Sequence, residues 1–204
     1  LVTILGVPGA VAGRRCLDAG ASTGGFTDVL LRRGAGHVVA VDVGYGQIAW
    51  RLREDPRVTV LERTNVRTLD PAAVAPAPGL VVGDLSFISL TLVIPSLVRA
   101  AAAEADFLLL VKPQFEVGRE RLGAGGVVRD TRLHAETVMA VSACARSHGL
   151  DVLAAIASPL PGPAGNVEYF LHMRAGSGQE PDGGLESAVR SAIATGPAGK
   201  EARK

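Results

Sequence analysis

The chain alternates short apolar runs with longer stretches of mixed polarity. Apolar runs at 15–19, 37–42, 58–61, 79–84, 106–111 and 152–157 have the length and β-branched content of strands. Residues 26–33, 44–54, 90–103 and 131–148 predict helices, the second stopped before Pro56 and the third tolerating Pro95 near its start. Residues 71–75 predict a short helix at most. The run Asp106-Phe-Leu-Leu-Leu-Val111 is apolar without alternation, as a strand buried on both faces requires. Residues 166–174 alternate as a seventh strand after a Pro/Gly-rich turn at 159–165. Strand and helix in strict alternation predict an α/β fold with a doubly wound, mostly parallel seven-stranded sheet and an antiparallel edge strand. The organisation expected is a remnant of an N-terminal helix or linker at 1–11, a catalytic domain at 12–175, and a linker, short helix and loose tail at 176–204.

Composition narrows the class. The 204 residues are 48% hydrophobic with a net charge of +1, which is globular and argues against a strong non-specific nucleic-acid binder acting alone. No apolar run approaches the roughly 20 residues that span a bilayer. Cys16 and Cys144 suggest a reducing cytoplasm rather than a disulfide framework. The first residue, Leu1, is not methionine, so the chain reads as an excised piece. The 21 basic residues comprise 18 Arg and 3 Lys, and Lys200 and Lys204 lie in the tail. Lys112 is therefore the only lysine of the expected folded region, and lysine, unlike arginine, can lose its proton.

The glycine-rich stretch Leu17-Asp-Ala-Gly-Ala-Ser-Thr-Gly-Gly-Phe26 joins the first strand to the first helix. That arrangement holds nucleotide-like ligands at the carboxyl edge of α/β sheets. A phosphate-binding loop would need a lysine where Phe26 stands. A dinucleotide fingerprint would need glycine where Ser22 stands, and Asp18 would repel a pyrophosphate. S-adenosylmethionine has no phosphate and carries a sulfonium and an ammonium, so an acidic loop suits it. A tight turn with no ligand also needs these glycines. A second carboxylate, Asp42, ends the next strand 24 residues beyond Asp18, where it accepts both hydroxyls of an adenosine ribose. Dinucleotide enzymes share that device, so Asp42 indicates adenosine rather than methyl transfer.

Three further polar residues fall at strand ends or edges: Asp84, Lys112 and Glu168, the last on the seventh strand. Function in open α/β sheets gathers at carboxyl ends. Methyl transfer to a ribose hydroxyl needs a base. An ordinary lysine amine titrates near about 10.4 and must be lowered by burial or nearby cations to serve. Asp84 and Glu168 would hold the amine in place, though both also favour its charged form. An amine-directed methyltransferase is the rival. Its loop after the fourth strand carries prolines that Asp84-Leu-Ser-Phe87 lacks, and it leaves Lys112 without a role.

The glycine loop, Asp42-Val-Gly-Tyr-Gly46, Asp84-Leu-Ser-Phe-Ile-Ser89, Lys112-Pro-Gln-Phe-Glu116 and the segment from Ser158 to Phe170 together resemble the TlyA (haemolysin A) family of FtsJ-like ribosomal RNA methyltransferases, over about residues 11–174. The resemblance implies a Rossmann-like S-adenosylmethionine-dependent fold and 2′-O-methylation of cytidines in 16S and 23S ribosomal RNA. It implies a cytoplasmic enzyme partnered by ribosomal RNA or ribosomal subunits, with no membrane and no metal. It also implies a Lys-Asp-Lys-Glu catalytic set, whose last three members match Asp84, Lys112 and Glu168. The family's first lysine and its N-terminal S4-type RNA-binding domain fall before Leu1. This chain is therefore expected to bind cofactor but to methylate ribosomal subunits poorly. The cofactor set implied is Asp18, Gly20, Ser22, Thr23, Gly24, Gly25, Phe26, Asp42, Val43, Asn65, Asp84 and Leu85.

Other residues carry weaker signals. Tyr45 and Thr64 follow strands where an adenine is held. Phe115 and Glu116 are candidates for the RNA side, and Arg119, Arg121, Arg129 and Arg132 for phosphate contacts. His37, His134, His148 and His172 lack metal-ligand spacing. Trp50 reads as core. A membrane-lytic protein, the other class considered, would need an amphipathic membrane helix or lipid-facing strands.

Overall fold

The structure is a computed structural model that describes residues 10–162, 164–176, 181 and 184–198. Residues 1–9 of the remnant expected at 1–11, parts of the linker after 176 and the tail from 199 lie outside these residues. Seven strands are present: β1 (Arg15–Ala19), β2 (His37–Val41), β3 (Val58–Leu61), β4 (Leu80–Gly83), β5 (Asp106–Val111), β6 (Leu150–Ala157) and β7 (Tyr169–Ala175). They are hydrogen-bonded in the order β3-β2-β1-β4-β5-β7-β6. β1 pairs parallel with β2 and β4, β2 with β3, and β4 with β5, whereas β6 and β7 run antiparallel. The helices are α1 (Gly25–Arg32), α2 (Trp50–Arg53), α3 (Ile94–Ala100), α4 (Pro113–Glu116), α5 (Thr131–Ser147) and α6 (Leu185–Thr195).

The chain divides into two compact units: Leu1–Leu85 with Val93–Leu109, and Ser86–Leu92 with Leu110–Lys204. In the first unit, the apolar strands bury Leu17, Val39, Val82 and Leu108 completely. Each such side chain contributes on the order of 2 kcal/mol by leaving water. The register sets Asp18 level with Ala40 and Val82, one residue short of the strand end. In the second unit, α5 buries His134, Thr137, Val138, Val141, Ser142 and Ala145, the spacing of one helical face. Asp130 caps it by accepting from the Arg132 amide at 2.9 Å. α6 contributes Leu185, Val189, Ala192 and Ile193 to that unit's core.

Several expected boundaries move. Residues 44–54 form a helix only at Trp50–Arg53, because carboxylates of Asp42 and Glu62 take the Gly44 and Gly46 amides at 2.7 Å each and hold a turn. Trp50, expected in the core, is 72% exposed at the start of α2. The helix expected at 90–103 is a 3-10 turn at Leu90–Leu92 followed by α3, with Pro95 in its first turn. β7 begins at Tyr169, so Glu168 precedes the strand instead of lying on it. Asn166 is drawn out of the ladder by its side chain, which accepts from Val128 N and donates to Gly126 O, each at 3.0 Å.

Candidate active site

The first unit gathers the glycine loop. Gly20 has φ of 83°, and a Cβ there would stand 2.5 Å from the Asp84 carbonyl oxygen, so only glycine lets the turns after β1 and β4 approach this closely. Its amide donates to Val41 O at 2.8 Å. Gly24, at φ 97°, would drive a Cβ into Leu52 Cδ1. Ser22 sits at φ 49° with its amide donating to Asp42 Oδ2 at 2.8 Å. Thr23 is exposed and its carbonyl accepts from Ala49 N, while Gly25 and Phe26 open α1.

Asp18 is fully buried. Its Oδ2 accepts from Thr27 Oγ1 at 2.7 Å, and its Oδ1 is buried with no hydrogen-bond partner. Burial pushes the carboxyl up to about 6, Thr27 opposes the rise, and the Asp84 and Asp42 carboxylates reinforce it. A buried acceptor without a donor costs on the order of 1–3 kcal/mol. Such a cost persists where a cationic or N–H-bearing ligand is to be met. Asp42 accepts from the Ser22 and Gly44 amides through separate oxygens, leaving a lone pair on each for ribose hydroxyls. Val43 is 72% exposed beside it. Tyr45 is exposed, with the Arg63 guanidinium 4.4 Å above its ring. Leu85 lies against Gly20, and the Asp84 amide donates to Ala19 O at 3.1 Å. Asn65 uses its side-chain oxygen to cap the 3-10 turn at Val66–Thr68, and Thr64 bonds the Glu62 carbonyl. These residues suit S-adenosylmethionine: an acidic glycine loop with an unmet acceptor fits a nucleoside that carries a sulfonium and an ammonium, and not a pyrophosphate.

The second unit gathers a different set. Lys112 caps the one-turn helix α4, is 8% exposed, and donates from Nζ to Ser86 Oγ at 3.0 Å. Pro113 fixes the backbone immediately after it. Gln114 Nε2 donates to Glu168 Oε1 at 3.0 Å. Phe115 meets Phe87 with ring centroids 5.1 Å apart. Phe87 is 90% exposed at φ 64°, a strained conformation for a bulky residue. Glu116 accepts from Ser89 Oγ at 2.5 Å and Leu90 N at 2.8 Å, tying the Ser86–Leu92 segment to α4. Burial raises its carboxyl while those two donors oppose the rise. Ser86, Phe87 and Gln114 were not singled out by sequence reasoning. Their signal was position, since each lies within two residues of Asp84 or Lys112 or just beyond.

Among the arginines considered for phosphate contacts, Arg121 pairs with Glu136 and Arg132 with Asp130, while Arg119 and Arg129 are exposed. His134 is buried with Nδ1 2.8 Å from the Tyr169 hydroxyl and Nε2 2.8 Å from the Val128 carbonyl, and burial lowers its value, which favours the neutral ring. Among the described residues no group of three His, Cys, Asp or Glu is placed to hold a metal, and no helix is long and apolar enough to cross a membrane. Cys16 is buried and its thiol is pushed up to about 12, so it is inert.

Residues 5–175 match the family described as FtsJ-like methyltransferase. TlyA from Mycobacterium tuberculosis, a 16S/23S rRNA (cytidine-2′-O)-methyltransferase, is 61% identical over 189 residues, covering 92% of this chain and 70% of that protein. A hemolysin-named protein of solved structure from Streptococcus thermophilus superposes with a TM-score of 0.90 at 36% identity, over 99% of this chain and 71% of that one. An S-adenosylmethionine-dependent methyltransferase from Mesorhizobium loti superposes with a TM-score of 0.60 at 15% identity, over 84% and 94% of the two chains, a likeness of fold alone. The fold is that of S-adenosylmethionine-dependent methyltransferases, and the chain belongs to the FtsJ-like methyltransferase family.

Proposed function

We propose that this protein methylates the ribose 2′-hydroxyl of cytidines in ribosomal RNA, with S-adenosylmethionine as donor and residues 12–175 as the methyltransferase domain. The observation that carries the reading is Lys112: a buried lysine in an otherwise arginine-using fold, held by the neutral hydroxyl of Ser86 at the end of β5. The name of the Mycobacterium tuberculosis relative supports the substrate class. Ribosomal RNA and ribosomal subunits are the partners under this reading, and the cytoplasm is the place of action.

Bound S-adenosylmethionine supplies an electrophilic methyl carbon on a sulfonium, whose departure leaves a neutral thioether. Lys112 takes the 2′-hydroxyl proton, which would free the ribose oxygen to attack that carbon. The lysine, having taken that proton, finishes as an ammonium. Glu168 stabilises that developing positive charge. Asp84, with Asp18, favours the cationic donor in the acidic pocket. Asp42 orients the adenosine ribose; Gly20, Ser22, Thr23, Gly24, Gly25 and Phe26 shape the loop around the methionine portion; and Val43, Asn65 and Leu85 border the adenine. Phe87, exposed and braced on Phe115, offers a flat face to an unstacked base.

Enzymatic digestion of treated ribosomal RNA to nucleosides, followed by mass analysis, tests the reading. It expects 2′-O-methylcytidine that depends on S-adenosylmethionine. Methyl groups found only on a base nitrogen would favour the amine-directed alternative instead.

A further inference from the structure

Gln114 stands apart from the residues assigned a role in methyl transfer. Its Nε2 donates to Glu168 Oε1 at 3.0 Å, and its own Oε1 is buried with no hydrogen-bond partner. The amide orientation is fixed by chemistry: turning it over would set a carbonyl oxygen against a carboxylate. An orphaned buried acceptor is costly to a fold, so this amide is not present for stability alone.

The surroundings of Glu168 are equally particular. Its backbone carbonyl accepts from Ser158 N at 2.7 Å. Gly162 passes so close that a Cβ there would stand 2.7 Å from Glu168 Oε1. The carboxylate is therefore confined by the 158–162 turn on one side and by Gln114 on another. Gln114 in turn lies two residues after Lys112 on α4, with Pro113 between them. Any placement of Gln114 is thereby tied to the backbone that carries the amine. A neutral donor has one further property. It orients a carboxylate without cancelling its charge, which an arginine or lysine in its place would do.

We propose that Gln114 is a positioning residue for the methyl-transfer reaction, holding Glu168 in register with the element that bears Lys112. The inference rests on the function proposed above. It requires that Gln114 act on turnover and not on cofactor or RNA binding.

The test compares the protein with its Gln114→Ala, Gln114→Glu and Lys112→Ala variants on ribosomal subunits, with cofactor affinity by calorimetry and melting temperature recorded alongside. Gln114→Ala is expected to lower kcat by about 10- to 100-fold, the scale of a lost positioning contact. KM for RNA and the cofactor Kd should stay within about twofold. Gln114→Glu sets two carboxylates face to face, which are relieved by sharing a proton. Its rate relative to the unaltered protein should therefore rise as pH falls, a response a purely structural role would not give. Unchanged kcat in Gln114→Ala beside an inactive Lys112→Ala would overturn the inference and leave the proposed function standing. So would a loss of kcat matched by a fall in melting temperature, with Gln114→Glu showing no pH response. Activity retained by Lys112→Ala would overturn the proposed function, and this inference with it.

Discussion

Thr27 Oγ1 donates to Asp18 Oδ2 at 2.7 Å, while the other carboxylate oxygen has no donor among the described residues. One hydrogen bond orients the group and burial opposes its charge, so the carboxyl titrates near about 6 in the ligand-free protein. A cationic ligand needs the ionised form. Cofactor affinity should therefore weaken as pH falls below about 6, approaching tenfold per pH unit, and should level off above about 7. Calorimetric titration across pH 5 to 8 checks this, and Asp18→Asn should flatten the profile while weakening binding at least tenfold.

The same group has the opposite effect on stability. Its folded value lies above the ordinary carboxylate value of 3.8, so its stabilising contribution is complete below that value and is lost as pH rises through about 6. At neutral pH the buried charge destabilises the ligand-free protein by a few kcal/mol at most, because each pH unit separating the folded from the unfolded value is worth about 1.4 kcal/mol. Asp18→Asn should accordingly raise the melting temperature of the ligand-free protein at pH 7.5, even as it loses cofactor. A fall in melting temperature would mean that the carboxylate is part of the scaffold and not of the ligand site.

Gly20 and Gly25 belong to one loop and should respond differently to alanine. At Gly20 the φ of 83° and the 2.5 Å approach to the Asp84 carbonyl make alanine cost on the order of 1–3 kcal/mol. At Gly25 nothing lies within 4 Å of an added Cβ, so stability should be unchanged or slightly improved. Chemical denaturation of both variants measures the contrast.

His134 should make stability depend on pH near neutrality. Burial lowers its folded value, so the unfolded chain takes up a proton first as pH falls below about 6.5. The fold then loses stability toward acid until the folded ring also titrates. Tyr169→Phe removes the donor to Nδ1 and should cost on the order of 1–3 kcal/mol at pH 7.5. Denaturation midpoints at pH 7.5 and 5.5 read both effects.

RNA binding should show the exposed arginines through salt. Arg119→Ala or Arg129→Ala should each reduce the slope of log K against log salt by roughly 0.7–0.9, the signature of one lost phosphate contact. Arg132, already paired with Asp130 at 2.9 Å, should matter less. Equal slopes in all three variants would remove the loop from the RNA interface.

Much of the fold and of the glycine loop's geometry is legible in the sequence. Strands such as Val58–Leu61 and Asp106–Val111 are written as apolar runs between turn residues, and the structure keeps both boundaries. Asp18 and Gly20 are marked by what their loop lacks, a lysine where Phe26 stands and a glycine where Ser22 stands, and the structure puts Gly20 and Gly24 at positive φ. What escapes are side chains that override local pattern. Asp42 and Glu62 unwind the start of an expected helix by taking its amides, and nothing in the 44–54 hydrophobic pattern records their reach. Asn166 alternates like a strand residue yet spends its amide on the 126–128 loop, some forty residues earlier in the chain. Trp50 is apolar by composition but opens a four-residue helix with little surface to cover it. Gln114 is ordinary in sequence and becomes informative only through its partner and its orphaned oxygen.

The central claim is that Lys112 acts as a base and not merely as a cation. Single-turnover transfer of a labelled methyl group to ribosomal RNA, with cofactor and RNA both saturating, tests it in Lys112→Arg beside Lys112→Ala. Arginine, which keeps the charge but holds its proton, should be as defective as alanine, with both losing about 100-fold or more. Transfer by Lys112→Arg at a rate near that of the unaltered protein would contradict it.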